Sequence, residues 1–487
     1  MDLAVATATE LVGMLRGGSL SSVDVVNAYL ERIERMNPAL NAVVTLDVEG
    51  ARRDAARADA AHAAGALAGP LHGLPMTLKD SFETAGMLST SGSRELESHV
   101  PERDGPTVGL LRAAGAVIMG KTNLPEYAGD WQTFNDLWGT TNNPWDLSRT
   151  PGGSSGGAAA ALAAGMCAAE LGSDVAGSIR VPAHFCGVYG HKPSWGIVPG
   201  RGHEPGPPGK LAKVDIGVLG PLARSAGDLD LLLSVVAAPE TRDRTAWRLE
   251  LPPPRHERAS AFRVAAWLDD DECPVDSSVG DVLQGAVDAL ARAGADVDDR
   301  ARPGFSLHET RVVFERLLAP VGALMTPARF TRIQALVAAR PPADEGSESS
   351  VDRFRRAEVQ SHWEWMEADE ARARMGAQLA AFFSDYDVLL FPVAPVAAFP
   401  HDRRPERERT IEVDGRARDY IDLEVWMALA GLGHLPATVA PAGLTRDGLP
   451  AGIQIIGPYL EDRTTIACAR ALAGLIGGFH PPPPIPI

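Results

Sequence analysis

The sequence predicts an α/β fold, and three features carry that prediction. A helical pattern over Thr107 to Ala114 runs directly into the apolar stretch Gly115 to Met119, which has strand character. Asp387 to Val393 (DVLLFPV) is a short continuous apolar run of the kind buried strands show. Gly156 to Ala169 is uncharged and built almost entirely of Gly and Ala, which is too short and too small for a bilayer span and reads as a buried helix. Helices alternating with wholly apolar strands belong to α/β architectures.

The elements follow in order. MDLAVATATELVGMLRGG lacks a basic region ahead of its apolar residues, so it reads as a short amphipathic helix and not a signal peptide. Ser21 to Asp24 has a capping-box pattern, and Val25, Tyr29, Leu30 and Ile33 continue at helical spacing. Pro38 is expected to end that helix. Residues 50–65 form a second, surface helix. Leu74 to Leu78 is an apolar strand closed by Lys79-Asp80. Val214 to Ala223 leads into a helix starting near Ser225. Phe262 to Trp267 is a strand and Val279 to Ala293 a helix. Residues 306–384 are mostly helical, interrupted by the polar loop Arg340 to Ser350, and 400–409 is a charged loop. Leu435 to Pro441 and Gly452 to Ile456 are strands, Thr464 to Leu475 is the last helix, and FHPPPPIPI is polyproline-like.

The 487 residues are read as one domain, 1–487. Its parts are an N-terminal helical segment (1–65), a core (66–235), a mainly helical variable region (236–385) and a C-terminal part of the core (386–487). A net charge of −17 argues against nucleic acid and anionic membrane surfaces as partners. Cys167, Cys186, Cys273 and Cys468 are scattered without metal-type spacing, which suits a reducing cytoplasm. No metal or cofactor is expected. Cys186 is expected in the core.

Three local motifs mislead. Gly115 to Thr122 fits the P-loop pattern, but its variable positions AVIM are themselves the strand, and NLPE follows where a helix should start. Gly152 to Gly156 fits G-x-S-x-G, but DLSRT before it is a loop rather than a buried strand. PGGSSGGAAAA (151–161) is no linker either, because the small residues after it must themselves be buried.

A second serine changes the picture. Ser178, in GSDVAGSIRVPA (172–183), lies 24 residues past Ser154. A helix from Gly156 to about Ala168, a turn and a short strand would bring the two together. Lys79 ends an apolar strand, where an ammonium is costly unless paired or neutral. Taken singly, Ser178 could be a helix N-cap, Ser154 a turn serine and Lys79 a snorkelling lysine.

Seven segments in order resemble the amidase signature family of Ser–Ser–Lys hydrolases: GLPMTLKD (73–80), GKTNLPEYA (120–128), GTTNNPWD (139–146), SRTPGGSSGG (148–157), GSDVAGSIRVPAHFCGVYGHKPS (172–194), GPLARSAGDL (220–229) and GLPAGIQIIG (448–457). The resemblance implies a large mixed β-sheet sandwiched by helices. It implies Ser178 as nucleophile, Ser154 as relay serine after a cis peptide bond from Gly153, and Lys79 as base. Backbone N–H groups of Val175, Ala176, Gly177 and Ser178 would form the oxyanion hole. Asp174, Arg180 and Ser155 would order that loop.

The chemistry suits these residue types. A serine hydroxyl needs an adjacent base to become a good nucleophile. A lysine at its usual pKa is protonated at neutrality, and burial would lower that pKa. The family usually has two glycines before the nucleophile. Here the first is Ala176, whose Cβ restricts positive φ. Tyr127, Ala128, Gly129, Trp131 and Phe134 follow KTN, where the family shapes its acyl pocket, and they suit an aryl or extended apolar amide. Core packing is the other account of Trp131 and Phe134.

The expected activity is therefore hydrolysis of a small or medium amide through an acyl-enzyme, with ester or carbamate cleavage as a side activity. The alternative is the A subunit of a glutamine-dependent tRNA amidotransferase. A catalytically dead binding protein is disfavoured by the intact Lys79, Ser154 and Ser178. The N-terminal helices leave a homodimer open, as in several family members.

Overall fold

Eleven strands hydrogen-bond into one mixed sheet that brings residues from both ends of the chain together. The computed structural model describes residues 2–203, 208–321, 327–339 and 350–485. In its first half are β1 (Val43–Leu46), β2 (Pro75–Lys79), β3 (Val117–Thr122), the small ribbon β4 (Phe134–Asn135) and β5 (Gly139–Thr140), β6 (Glu170–Asp174), β7 (Tyr189–Lys192) and β8 (Val218–Ala223). The second half adds β9 (Arg263–Ala266), β10 (Asp296–Asp298), β11 (Val388–Pro392), the ribbon β12 (Thr410–Val413) and β13 (Arg416–Asp419), β14 (Ala437–Leu444) and β15 (Pro450–Ile456). The sheet order is β1-β3-β2-β6-β8-β7-β14-β15-β11-β9-β10. Pairs β2–β3, β2–β6, β11–β9 and β10–β9 are parallel, and the others are antiparallel.

Helices pack on this sheet. The N-terminal ones are α1 (Ala8–Arg16), α2 (Ser22–Leu40) and α3 (Val48–Ala63), followed by α4 (Pro106–Ala113), α5 (Gly156–Ala163), α6 (Arg180–Cys186) and α7 (Ala226–Val236). After α8 (Ser277–Arg292) come α9 (Leu307–Leu318), α10 (Pro327–Ala338), α11 (Ser350–Glu358) and α12 (His362–Asp385), with α13 (Val425–Leu432) and α14 (Asp462–Ile476) last. Every residue of β2, β3, β6, β8, β11 and β15 is buried. Covered on both faces, such strands carry continuous rather than alternating apolar runs.

Four expectations need correcting. Helix α2 passes through Pro38 and ends at Asn41. Proline removes one N–H, but the chain has only to reach Asn41, whose φ of 50° is left-handed and whose N–H closes on Asn37 O. Asp24 N–H is capped by Ser21 Oγ at 3.0 Å, with no reciprocal bond from Asp24, whose side chain is shorter than the glutamate of a full box. Helix α5 stops at Ala163 rather than near Ala168, because Gly165 takes a φ of +67°. Strand β3 begins two residues late and runs through Gly120-Lys121-Thr122, so the P-loop-like lysine lies inside the sheet. Its Nζ donates to Phe82 O and to Ser89 Oγ at 2.5 and 2.9 Å.

The expected loop at Arg340 to Ser350 lies outside the described residues, apart from Ser350, which opens α11. Charged residues 400–409 are mostly irregular but lead into the β12–β13 ribbon, whose signal, the two-residue Asp414-Gly415 turn with positive φ at both positions, went unread in the sequence.

Helix α13 positions the site from below. All eight of its residues are buried. Trp426 anchors it against Phe391, with ring centroids 4.7 Å apart, and donates its indole N–H to Cys273 O at 3.0 Å. Burying one such side chain is worth roughly 1.5–3 kcal/mol or more.

Candidate active site

Lys79 is the last residue of β2, which lies between β3 and β6 in the sheet. Strand β6 ends in Ser173 and Asp174, and the loop to Ser178 starts there. The other approach is the turn after Pro151, where the Gly153–Ser154 peptide bond is cis, and from which α5 leads into the core. The parallel strands thus set the lysine beside both serine loops.

The Lys79 ammonium nitrogen donates to Ser154 Oγ at 2.6 Å and to Ser173 Oγ at 3.0 Å, with Lys79 and Ser154 completely buried. Burial lowers the Lys79 pKa to about 7, although Asp174 and Glu170 pull it upward. Neither acid opposes the shift strongly. Burial pushes Glu170 up to about 8, where it is largely neutral at pH 7. Asp174 is also driven up by burial, but Arg180 outweighs this and holds it at about 2. That pair is fully buried and bidentate, with Nε to Oδ2 at 3.0 Å and Nη2 to Oδ1 at 2.8 Å. The remaining Arg180 nitrogen reaches Met427 O and Gln454 Oε1 at 2.9 and 2.7 Å, tying the loop to α13 and β15.

Ser178 is half-buried. Its carbonyl accepts the Ser155 N–H at 3.0 Å, which places the two serine loops side by side. Among the described residues no group hydrogen-bonds the Ser178 hydroxyl. It does not cap a helix either, since α6 starts after Ile179 without a side-chain cap. Asp174 does that work, accepting the N–H groups of Ile179 and Arg180 at 3.1 and 3.3 Å.

Asp174 Oδ1 also accepts the Gly177 N–H at 2.8 Å. Of the four N–H groups expected to face an oxyanion, Gly177's is therefore committed elsewhere. Those of Val175, Ala176 and Ser178 have no protein acceptor among the described residues. Gly177 carries a φ of +94°, and a Cβ there would stand 1.5 Å from Met427 Sδ. Ala176 is not among the residues with positive φ, so its methyl group is accommodated where the family usually has glycine.

The segment after KTN lies against the same loops. A Cβ on Gly153 would meet Asp130 O at 2.5 Å and Gln132 N at 2.8 Å. Trp131 is buried and donates its indole N–H to Ala176 O at 2.7 Å. Its ring stacks edgewise on Tyr420, whose hydroxyl donates to Asp130 at 2.6 Å. Tyr127 and Ala128 adopt left-handed conformations (φ 49° and 60°), whereas Gly129 does not. The Tyr127 hydroxyl donates to Glu95 at 2.8 Å, away from the Ser178 loop. Phe134 lies under the Arg403 and Arg409 guanidinium groups. Ser155 Oγ donates to Ser173 O at 3.4 Å and accepts the Ser173 N–H at 3.5 Å, both long contacts.

Ser173, the second partner of Lys79, was missed from sequence. The available signal was its place at the end of a buried strand one residue before Asp174. All four cysteines are free and buried, and Cys186 donates to Pro151 O at 3.4 Å. Among the described residues, no group of three or more His, Cys, Asp or Glu side chains could hold a metal ion, and no helix is long and apolar enough to cross a membrane.

A family model described as Amidase matches residues 24–466. The chain belongs to the amidase signature family. Within the family it is 34% identical over 496 residues to the A subunit of the glutamyl-tRNA(Gln) amidotransferase of Synechococcus sp. (strain CC9902), covering 96% of each chain. A solved amidase superimposes with a TM-score of 0.76 at 28% identity, over 97% of this chain and 100% of that one. A bacterial aryl acylamidase of the amidase signature family gives 0.79 at 25% identity, over 97% and 96%. The mixed sheet flanked by helices is the fold of these amidases.

Proposed function

We propose that this amidase-family chain hydrolyses the C–N bond of a small or medium amide, aryl or apolar in character, through an acyl-enzyme on Ser178. The observation that carries this is the 2.6 Å bond from Lys79 to Ser154 in a fully buried setting that lowers the lysine to about pKa 7. A substantial fraction of neutral amine exists there at neutral pH, so Lys79 takes the Ser154 proton as Ser154 takes that of Ser178. Ser178 Oγ attacks the carbonyl carbon. The negative oxygen of the tetrahedral intermediate accepts from the N–H groups of Val175, Ala176 and Ser178, donors that contribute about 3 kcal/mol each in comparable sites. Collapse breaks the C–N bond, the leaving amine receives the proton back through Ser154, and water then hydrolyses the ester by the same relay. The same attack accommodates esters and carbamates.

The amidotransferase alternative draws on the similarity to the Synechococcus protein. Its distinguishing requirement is a set of partner proteins. The test is to assay the purified chain alone on anilides, alkyl amides, esters, carbamates and glutamine. Turnover of amides by the chain alone, with a fluorophosphonate adduct on Ser178 by mass spectrometry, supports the stand-alone amidase. Glutamine hydrolysis appearing only with partner proteins supports the amidotransferase reading. An adduct on another residue, or none, refutes the Ser178 acyl-enzyme.

A further inference from the structure

Glu424 is the N-cap residue of α13. It is 1% exposed, yet neither carboxylate oxygen has a hydrogen-bond partner among the described residues. A buried carboxyl left this way is costly, and in a native structure such a group calls for an explanation.

Its position is tied to the Ser178 loop. Glu424 immediately precedes α13, three residues before Met427, whose sulfur fills the space a Cβ on Gly177 would need. Across from it stands α9, whose Phe314 shares a small apolar cluster with Val175, Ala176 and Ala428. The charged residues on that side of α9 are Arg311 and Glu315.

These charges satisfy one another and leave Glu424 over. Arg311 Nε reaches Glu315 at 2.9 Å, Nη1 reaches Glu272 at 3.3 Å and Nη2 reaches Asp422 at 3.0 Å. Glu315 also takes Arg353 at 2.9 Å, and Asp422 takes Arg418 at 2.8 Å. The groups acting on Glu424 are then Glu315, Glu406 and Asp422, which disfavour its ionisation, and Arg311, which favours it. Burial is the strongest influence and pushes its carboxyl well above the usual carboxylate range. Among the described residues, acids outnumber cations around Glu424, and its carboxyl has no hydrogen-bond donor to accept from.

We infer that Glu424 recognises a cationic nitrogen, such as a primary ammonium, carried by the substrate beside Ser178. This rests on Ser178 being the reacting serine. Binding such a cation converts Glu424 to its carboxylate and releases its proton to solvent. The ion pair supplies the positive charge that Arg311 shares among Glu272, Glu315 and Asp422.

The test is calorimetric binding of n-hexylammonium to the intact chain, beside n-hexanol and hexanoate, for wild type and Glu424→Gln. Glutamine keeps the shape and removes the charge, and thermal melting checks that the variant is folded. The wild type is expected to bind the ammonium at least tenfold more tightly than the alcohol. Binding should release protons, read from buffers of different ionisation enthalpy. The variant should lose both the preference and the proton release. Equal binding of amine and alcohol, tighter binding of hexanoate, no binding at all, or an unchanged preference in the variant overturns the inference. Binding needs no turnover, so these outcomes are distinct from failure of the Ser178 chemistry, which fluorophosphonate labelling reads separately.

Discussion

Replacing Lys79 by methionine should abolish activity and at the same time stabilise the protein at neutral and acid pH. Lys79 is completely buried and its folded pKa is about 7, against an ordinary lysine value of 10.5. The folded-state value is the lower one, so the unfolded chain binds the extra proton. The penalty is fully present below pH 7 and fades as the pH rises towards 10.5. A depression of this size corresponds to roughly 4–5 kcal/mol at pH 6 and to about 1 kcal/mol at pH 10. Methionine removes that penalty but also the bonds to Ser154 and Ser173, worth about 1 kcal/mol each. The variant should therefore be more stable than wild type by about 2–3 kcal/mol at pH 6 and slightly less stable at pH 10. Urea denaturation of both proteins across pH 6 to 10 reads this directly. The bond contributions drop out of the pH slope, which should amount to about 4 kcal/mol across the range. A stability difference that stays flat with pH would refute a depressed Lys79.

Four further variants probe the loop around Ser178. Gly177→Ala should lose nearly all activity and melt earlier, since a side chain at φ +94° costs about 1–2 kcal/mol before Met427 is displaced. Ala176→Gly should keep its activity within a few-fold and lose under about 1 kcal/mol of stability. Steady-state kinetics and melting curves distinguish the two, and equal damage in both would show the loop geometry to be wrongly assigned. Arg180→Met should cost about 3–5 kcal/mol in urea denaturation, because Asp174 is left buried without its partner; a loss below about 1 kcal/mol would contradict that pairing energetics. Trp131→Phe removes the bond to Ala176 O, and kcat should fall by about five- to tenfold, matching about 1 kcal/mol. An unchanged kcat would leave Trp131 as packing only.

Much of this was legible in the sequence because the relevant elements are buried. PMTLK and VLLFP are covered on both faces, so their apolar runs announce strands without any partner being known. The order of those strands was not legible. It depends on pairings such as β7 with β14, whose partners lie hundreds of residues apart. Lys79, Ser154 and Ser178 each have an ordinary use when taken singly, and they stood out only together, inside seven ordered segments that resemble the amidase signature family. Ser173 did not, since a serine at a strand end has many such uses. Nor could the sequence reveal that Asp174 takes the Gly177 N–H, which depends on a turn closing over a carboxylate fixed by Arg180. Pro38 misled for a local reason: the helix end is set by the left-handed Asn41. Trp131 and Phe134 could be placed near the site but not assigned, because an indole bond to a backbone carbonyl leaves no trace in composition.

The central claim is that a neutral Lys79 activates Ser178 through Ser154. The pH dependence of Ser178 labelling by a fluorophosphonate tests it most directly, because attack of the serine on phosphorus with loss of fluoride reads nucleophile activation without amide turnover or product release. The rate should rise with pH through an inflection near 7, the value burial gives Lys79, and the rise should vanish in Lys79→Met. A rate that is flat from pH 5 to 9, or a pH profile that survives the loss of Lys79, would contradict it.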